Sequence, residues 1–258
     1  MTTLSQARQR AVQFAAAAVL ALSAWSAQGA NYLIDDFGSP AAPGISVLTG
    51  ESENSFVQFT DTVAGGVRGV YHRAYLNPLG SVSAVIAGNG VLSSSDGIGV
   101  TSEVLVSYGA FTNPTGTPGT AGPLLGLDVT PYNAFQVDFG GIAQQMNINI
   151  VMYSSTPLDA GSVSPTYYTI ASVNVAPDVP GGPLNLVLPF ATMAGGFNFA
   201  SVDGVVLVLN RAVGNVTNNA FNVDSFALVS AVPENSTAAL VLAGLGVVAI
   251  MSRRRRPV

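Results

Sequence analysis

Residues 145–152 read Gln145-Met146-Asn147-Ile148-Asn149-Ile150-Val151-Met152. Successive strand side chains point to opposite faces. A period of two therefore collects Met146, Ile148, Ile150 and Met152 on one side and Asn147 and Asn149 on the other. At about 100° per residue the same four apolar side chains would fall on two opposite sides of a helix. The stretch predicts a strand with one face in a core and two amides facing water or a ligand.

The pattern recurs outward from this point. Val104, Val106 and Tyr108 share one face, with Glu103 and Ser107 opposite. Residues 205–209 (VVLVL) are continuously apolar, as in a strand covered on both faces. Further strands are expected at 56–59, 67–75, 82–86, 134–139, 167–175, 184–188 and 223–229, separated by Gly, Pro, Asn and Ser. No long helical period occurs between residues 31 and 231. About ten strands in one chain must close or stack their sheets to hide their edges. The expected fold is all-β: one two-sheet antiparallel sandwich, jelly-roll-like, over residues 31–231. Residues 113–123 and 177–183 are rich in Gly and Pro and read as loops.

Charge narrows the function. The chain has 258 residues, no cysteine, and nine basic residues that are all arginine. Only Arg68, Arg73 and Arg211 lie in the body, against thirteen of the fourteen acidic residues. So acidic a body repels phosphate backbones, which argues against a nucleic-acid partner. Without cysteine there are no disulfides, thiolate metal sites or cysteine nucleophiles.

The two ends read as addresses. Residues 1–30 carry Arg8 and Arg10, then an apolar run over 11–24, then small residues, with Ala27-Gln28-Gly29 and Ala24-Trp25-Ser26 as cleavage patterns. This is the build of a secretory signal peptide, handled by the Sec translocon and signal peptidase. At the other end, Val232-Pro233-Glu234 precedes an apolar run over 238–251 and the cluster Arg253, Arg254, Arg255 and Arg256. As a helix that run is about 21 Å long, against a hydrocarbon core of about 30 Å. It spans only with help from its flanks, and the arginines keep the terminus cytoplasmic. Such a segment suits a transient hold.

Taken together, residues 232–258 resemble the PEP-CTERM sorting signal of Gram-negative bacteria. The usual motif is Val-Pro-Glu-Pro, and Asn235 stands at its fourth position here. The resemblance implies processing by an exosortase-type enzyme near Pro233-Glu234 and transfer to the cell surface or the extracellular space. It also implies an exopolysaccharide-rich setting. The expected organisation is a signal peptide (1–30), a sandwich (31–231) and a sorting signal (232–258), with membrane contact through the helix before processing. In the body, Leu33-Ile34-Asp35-Asp36-Phe37, residues 127–135, Val202-Asp203-Gly204-Val205 and Asn222-Val223-Asp224-Ser225-Phe226 resemble galactose-binding-like jelly rolls and carbohydrate-binding modules.

Candidate sites follow from these readings. Asp35, Asp36 and Asp224 come together if the first and last strands pair, and oxygen ligands of this kind suit a structural calcium ion. Tyr71, Tyr75, Tyr108, Tyr153, Tyr167 and Tyr168 lie near strands or strand ends, where rings stack on sugars or pack in a core. His72 is the one histidine, and no Gly-x-Ser-x-Gly elbow supplies a nucleophile for it. The expectation is a non-catalytic, structural or adhesive surface protein with weak carbohydrate contact. The alternatives are a secreted glycan-active enzyme, which needs two close carboxylates, and a permanently membrane-anchored protein, which keeps its tail.

Overall fold

The computed structural model describes residues 31–40, 44–47, 53–109, 123–155, 166–176, 178–190, 197–210 and 218–230. The signal-peptide segment, most of the 113–123 loop and the sorting tail lie outside the described residues. Among the described residues no helix is long and apolar enough to cross a membrane. Residues Asn31–Val229 form one compact unit.

That unit is a sandwich of two antiparallel sheets. Its strands are β1 (Asn31–Asp35), β2 (Ile45–Val47), β3 (Glu53–Phe59), β4 (Val67–Leu76), β5 (Ser83–Gly88), β6 (Val91–Asp96) and β7 (Thr101–Gly109). They continue with β8 (Ala134–Ile142), β9 (Met146–Ser154), β10 (Thr166–Val175), β11 (Leu184–Pro189), β12 (Gly204–Leu209) and β13 (Ala220–Val229). One sheet has seven strands in the order β11-β8-β13-β6-β5-β2, with β1 also on β13. The other has six, in the order β10-β9-β12-β7-β4-β3. The chain switches sheet repeatedly, which gives the sandwich its jelly-roll-like connections.

Alternation decides which face is core. In β9, Met146, Ile148, Ile150 and Met152 are buried in the main cluster with Val104, Val106 and Tyr108 of β7. Every residue of β12 is buried. Its Val205, Leu207 and Leu209 face the core, while Val206 and Val208 pack with Leu105, Val151 and Tyr153 on the outer side. From the seven-stranded sheet Phe135 and Phe226 stack at 5.3 Å, and Tyr108 reaches Phe226 at 5.9 Å. Rings so placed contribute a little beyond their buried area.

The structure also departs from the sequence expectation. Residues 91–96 (VLSSSD) form a strand that the sequence expectation did not include. Leu92 and Ser94 face inward, and register comes from β5 and β13 on either side. The β5–β6 hairpin closes at Asn89-Gly90, with φ of 57° and 87°. Positive φ at both central residues is the tight-turn geometry matching strand twist, and it suits Asn-Gly. In β13 a bulge at Asp224 reverses the facing pattern, so Val223 and Phe226 are both buried while Asp224 is exposed.

Candidate functional site

The outer face of the six-stranded sheet carries a band of polar and aromatic side chains. Register sets Glu53 of β3 opposite Arg73 of β4, and Arg73 opposite Glu103 of β7. One pair further along, Ser55, Tyr71 and Leu105 align. Glu53 accepts a hydrogen bond from the Tyr71 hydroxyl at 2.6 Å, and Glu103 accepts one from Tyr75. The Arg73 guanidinium lies 4.7 Å from the Tyr75 ring centroid, within cation–π range. Burial, and then the Glu53 carboxylate, push the Tyr71 phenol well above its ordinary pKa, so it remains a hydrogen-bond donor. Towards β10 the same face carries Asn147, which donates to Asn174 at 3.1 Å, and Asn149, whose buried Oδ1 has no partner. Tyr75, Arg73 and Glu53 are exposed, whereas Tyr71 and Glu103 are largely covered.

This band combines charged acceptors, a fixed cation, phenols and amides on a rigid sheet. Such groups hydrogen-bond vicinal hydroxyls, and a ring held flat by a cation above it can also contact a sugar face. Glu53 and Glu103 stand two strands apart, and each already accepts a phenol hydroxyl. Of the tyrosines read as candidates, Tyr71, Tyr75 and Tyr153 belong to this outer side. Tyr167 and Tyr168 lie on β10, with Tyr167 in register with Tyr153. Tyr108 is instead fully buried in the core.

Asp35 has a different environment from the one expected of a metal ligand. It ends β1 and points into the sandwich, where Arg68 of β4 binds both its oxygens at 2.9 and 2.7 Å. Phe37 N–H donates at 2.7 Å and the Tyr108 hydroxyl at 2.9 Å. Arg68 also donates to Ser39 and Gln58, and lies 5.1 Å from the Phe37 ring centroid. Both charges are fully buried. Burial pushes the Asp35 carboxyl above the usual carboxylate value, with Arg68, Phe37 and Tyr108 pulling against it. This group is an inter-sheet clasp. Asp36 is exposed and caps its own turn through Gly38 N–H. Asp224 lies on the outer face against Gly140. β1 and β13 do pair as expected, but the three aspartates are not gathered. Among the described residues no three of His, Cys, Asp and Glu form a metal-holding group.

His72 is buried on the inner face of β4. Its Nε2 lies 2.8 Å from Ser83 Oγ, and Ser83 donates to Asp96 Oδ1 at 2.5 Å. Serine therefore stands between histidine and acid, its proton directed at the carboxylate. A nucleophilic triad needs the base between them. Burial holds the imidazole down at about 4 and raises Asp96, against hydrogen bonds from Ser102 and Ser83.

No family model matches the chain, and no curated protein matches it. Solved structures do resemble it. A family 11 carbohydrate-binding module from Clostridium thermocellum, in complex with a beta-1,3-1,4-mixed-linked tetrasaccharide, is 14% identical. That alignment covers 78% of this chain and 96% of the module, with a TM-score of 0.35. The K1 cleaved adhesin domain of Lys-gingipain from Porphyromonas gingivalis is 11% identical over 78% of this chain and 97% of the domain, with a TM-score of 0.32. Neither alignment assigns a ligand or an activity to this chain.

Proposed function

We propose that this chain is an exported, surface-sorted bacterial protein whose sandwich is non-catalytic and contacts polysaccharide in the cell envelope or extracellular matrix. The observation that carries the binding half is the outer band on the six-stranded sheet. There Glu53, Arg73 and Glu103 alternate in charge beside Tyr71 and Tyr75. Hydroxyl-rich ligands match such mixed donors and acceptors. The charged row is only partly open, which fits weak, repeated contacts along a polymer better than capture of a small molecule.

The sorting half rests on residues 232–258 and their likeness to the PEP-CTERM signal. In this reading Val232, Pro233 and Glu234 present the site to an exosortase-type enzyme. Arg253 to Arg256 hold the tail at the cytoplasmic face until processing.

Two measurements test the proposal. Affinity electrophoresis through gels containing matrix polysaccharide should retard the mature protein, and Arg73→Ala with Tyr75→Ala should restore free migration. Unretarded wild-type protein on every matrix polysaccharide would refute binding. The intact mass of protein from envelope and medium should lack both the signal peptide and the arginines. A mass that keeps the arginines, found only in the envelope, would replace sorting with a lasting anchor.

A further inference from the structure

One corner of the sandwich holds buried polar atoms that the clasp and the outer band do not use. It lies at the start of β13, opposite the last residues of that strand, which pair with β1. Asp96 is the centre. Its backbone N–H donates to Asn219 O at 2.8 Å, and its Oδ1 accepts from Ser83 at 2.5 Å and Ser102 at 2.6 Å. The Ser102 carbonyl in turn accepts from Asn210 Nδ2 at 2.7 Å. The chain of bonds thus joins His72, Ser83, Asp96, Ser102, Asn210 and Asn219 across both sheets.

Several atoms there have no partner. His72 Nδ1, Asn210 Oδ1, and both Oδ1 and Nδ2 of Asn219 are buried without a hydrogen bond. His72, Asn210 and Asn219 are each at most 1% exposed. Asp96 is only half-buried and its Oδ2 is not one of these buried atoms; it takes no hydrogen bond from a described residue, and among the described residues no arginine pairs with it. Leaving the buried atoms of His72, Asn210 and Asn219 unpaired costs about 1–3 kcal/mol each.

The unmatched atoms are mostly acceptors. With Ser83 donating to Asp96, His72 Nε2 carries the proton and Nδ1 presents a lone pair. Three buried acceptors then remain, His72 Nδ1, Asn210 Oδ1 and Asn219 Oδ1, beside the half-buried carboxylate of Asp96. One water supplies two donors, whereas a hard cation accepts about 6–8 oxygen ligands and balances the carboxylate. We propose that this corner is a cation site of the calcium type, with Asp96, Asn210 and Asn219 as its oxygen ligands and His72 beside them. It is separate from Asp35, Asp36 and Asp224, and it does not depend on the sugar-binding reading.

The ion ties the end of β12 at Asn210 and the start of β13 at Asn219 to the β6–β7 turn. With a single carboxylate its affinity belongs to the weak extracellular range, about 0.1–1 mM. The test is thermal unfolding of the mature protein, stripped with chelator and titrated with calcium chloride to about 10 mM. At ten times the dissociation constant the midpoint should rise by about 3–6 °C, and magnesium chloride should give less than half that rise. Asp96→Asn keeps an acceptor for Ser83 and Ser102 and should remain folded, but it should lose most of the rise. Asn219→Ala should do likewise, and Asp224→Asn should keep it. The proposal is overturned if calcium leaves the wild-type midpoint where chelator puts it. It is equally overturned if Asp96→Asn retains the full rise, or if Asp224→Asn abolishes it.

Discussion

Replacing His72 with Gln should change how stability depends on pH, by an amount that follows from burial. The imidazole sits inside the sandwich, and burial lowers its pKa from the ordinary 6.5 to about 4. In that window the unfolded chain binds a proton that the folded chain refuses. Folding stability is therefore complete above the unfolded value and is lost as pH falls towards the folded one. The full effect is about 3.4 kcal/mol at 1.36 kcal/mol per pH unit. Roughly 2.4 kcal/mol of it develops between about pH 7 and 4.5. Asp35 and Asp96 act in the opposite sense. Burial raises both above 3.8, so the folded state keeps protons that the unfolded chain has released, and their contribution declines as pH rises. Gln offers Ser83 a donor in place of Nε2–H and does not titrate, so comparing the two proteins isolates the histidine. The assay is denaturant unfolding followed by circular dichroism across this pH range. The variant should gain on the wild type by about 2 kcal/mol as pH falls. Curves that stay parallel within about 0.5 kcal/mol would refute the reasoning. Because the chain has a single histidine, its titration can also be read from one ring resonance. A midpoint near 6.5 there would show that the ring is solvated.

Other perturbations test the packing. Arg68→Met leaves Asp35 buried without its cation and should cost about 3–5 kcal/mol in denaturant unfolding, with much of the loss recovered in the Arg68→Met/Asp35→Asn double variant. Phe226→Ala removes a fully buried ring that stacks on Phe135, and should cost about 3–5 kcal/mol in the same assay. Gly90→Ala meets open space but must adopt a φ of 87°, so a loss of about 1–2 kcal/mol is expected from the backbone alone. Tyr75→Ala sits on the exposed band and should shift stability by less than about 1 kcal/mol while weakening polysaccharide retention.

The alternation at 145–152 and the apolar run at 205–209 were legible because strand periodicity is local. Each residue there reports its own face. The two asparagines of β9 do lie opposite the core, although both are buried. β6 was not legible, since Ser93, Ser94 and Ser95 carry no hydrophobic signal and the strand exists through its neighbours. Sites depend still more on distant partners. Asp35 resembles a metal ligand until Arg68, thirty-three residues away, is brought against it by the stacking of the two sheets. Asp224 lies on the strand that pairs with β1 but outside that pairing, facing outward at a one-residue bulge that no pattern announces. Tyr108 had the inward parity of Val104 and Val106, and that parity predicted its burial better than its residue type did. The outer band was half visible. Tyr71 and Tyr75 were candidates, whereas Glu53 and Glu103 became part of the site only through cross-strand register.

Polysaccharide binding by this chain rests on that band. The most direct test is to titrate isotope-labelled mature protein with oligosaccharides from the matrix polysaccharide and to follow each backbone amide. The account predicts saturable shifts grouped at Glu53, Tyr71, Arg73, Tyr75, Glu103 and Asn147, lost together in the Arg73→Ala/Tyr75→Ala variant. Shifts grouped on the seven-stranded sheet, or none with any matrix oligosaccharide, would contradict it.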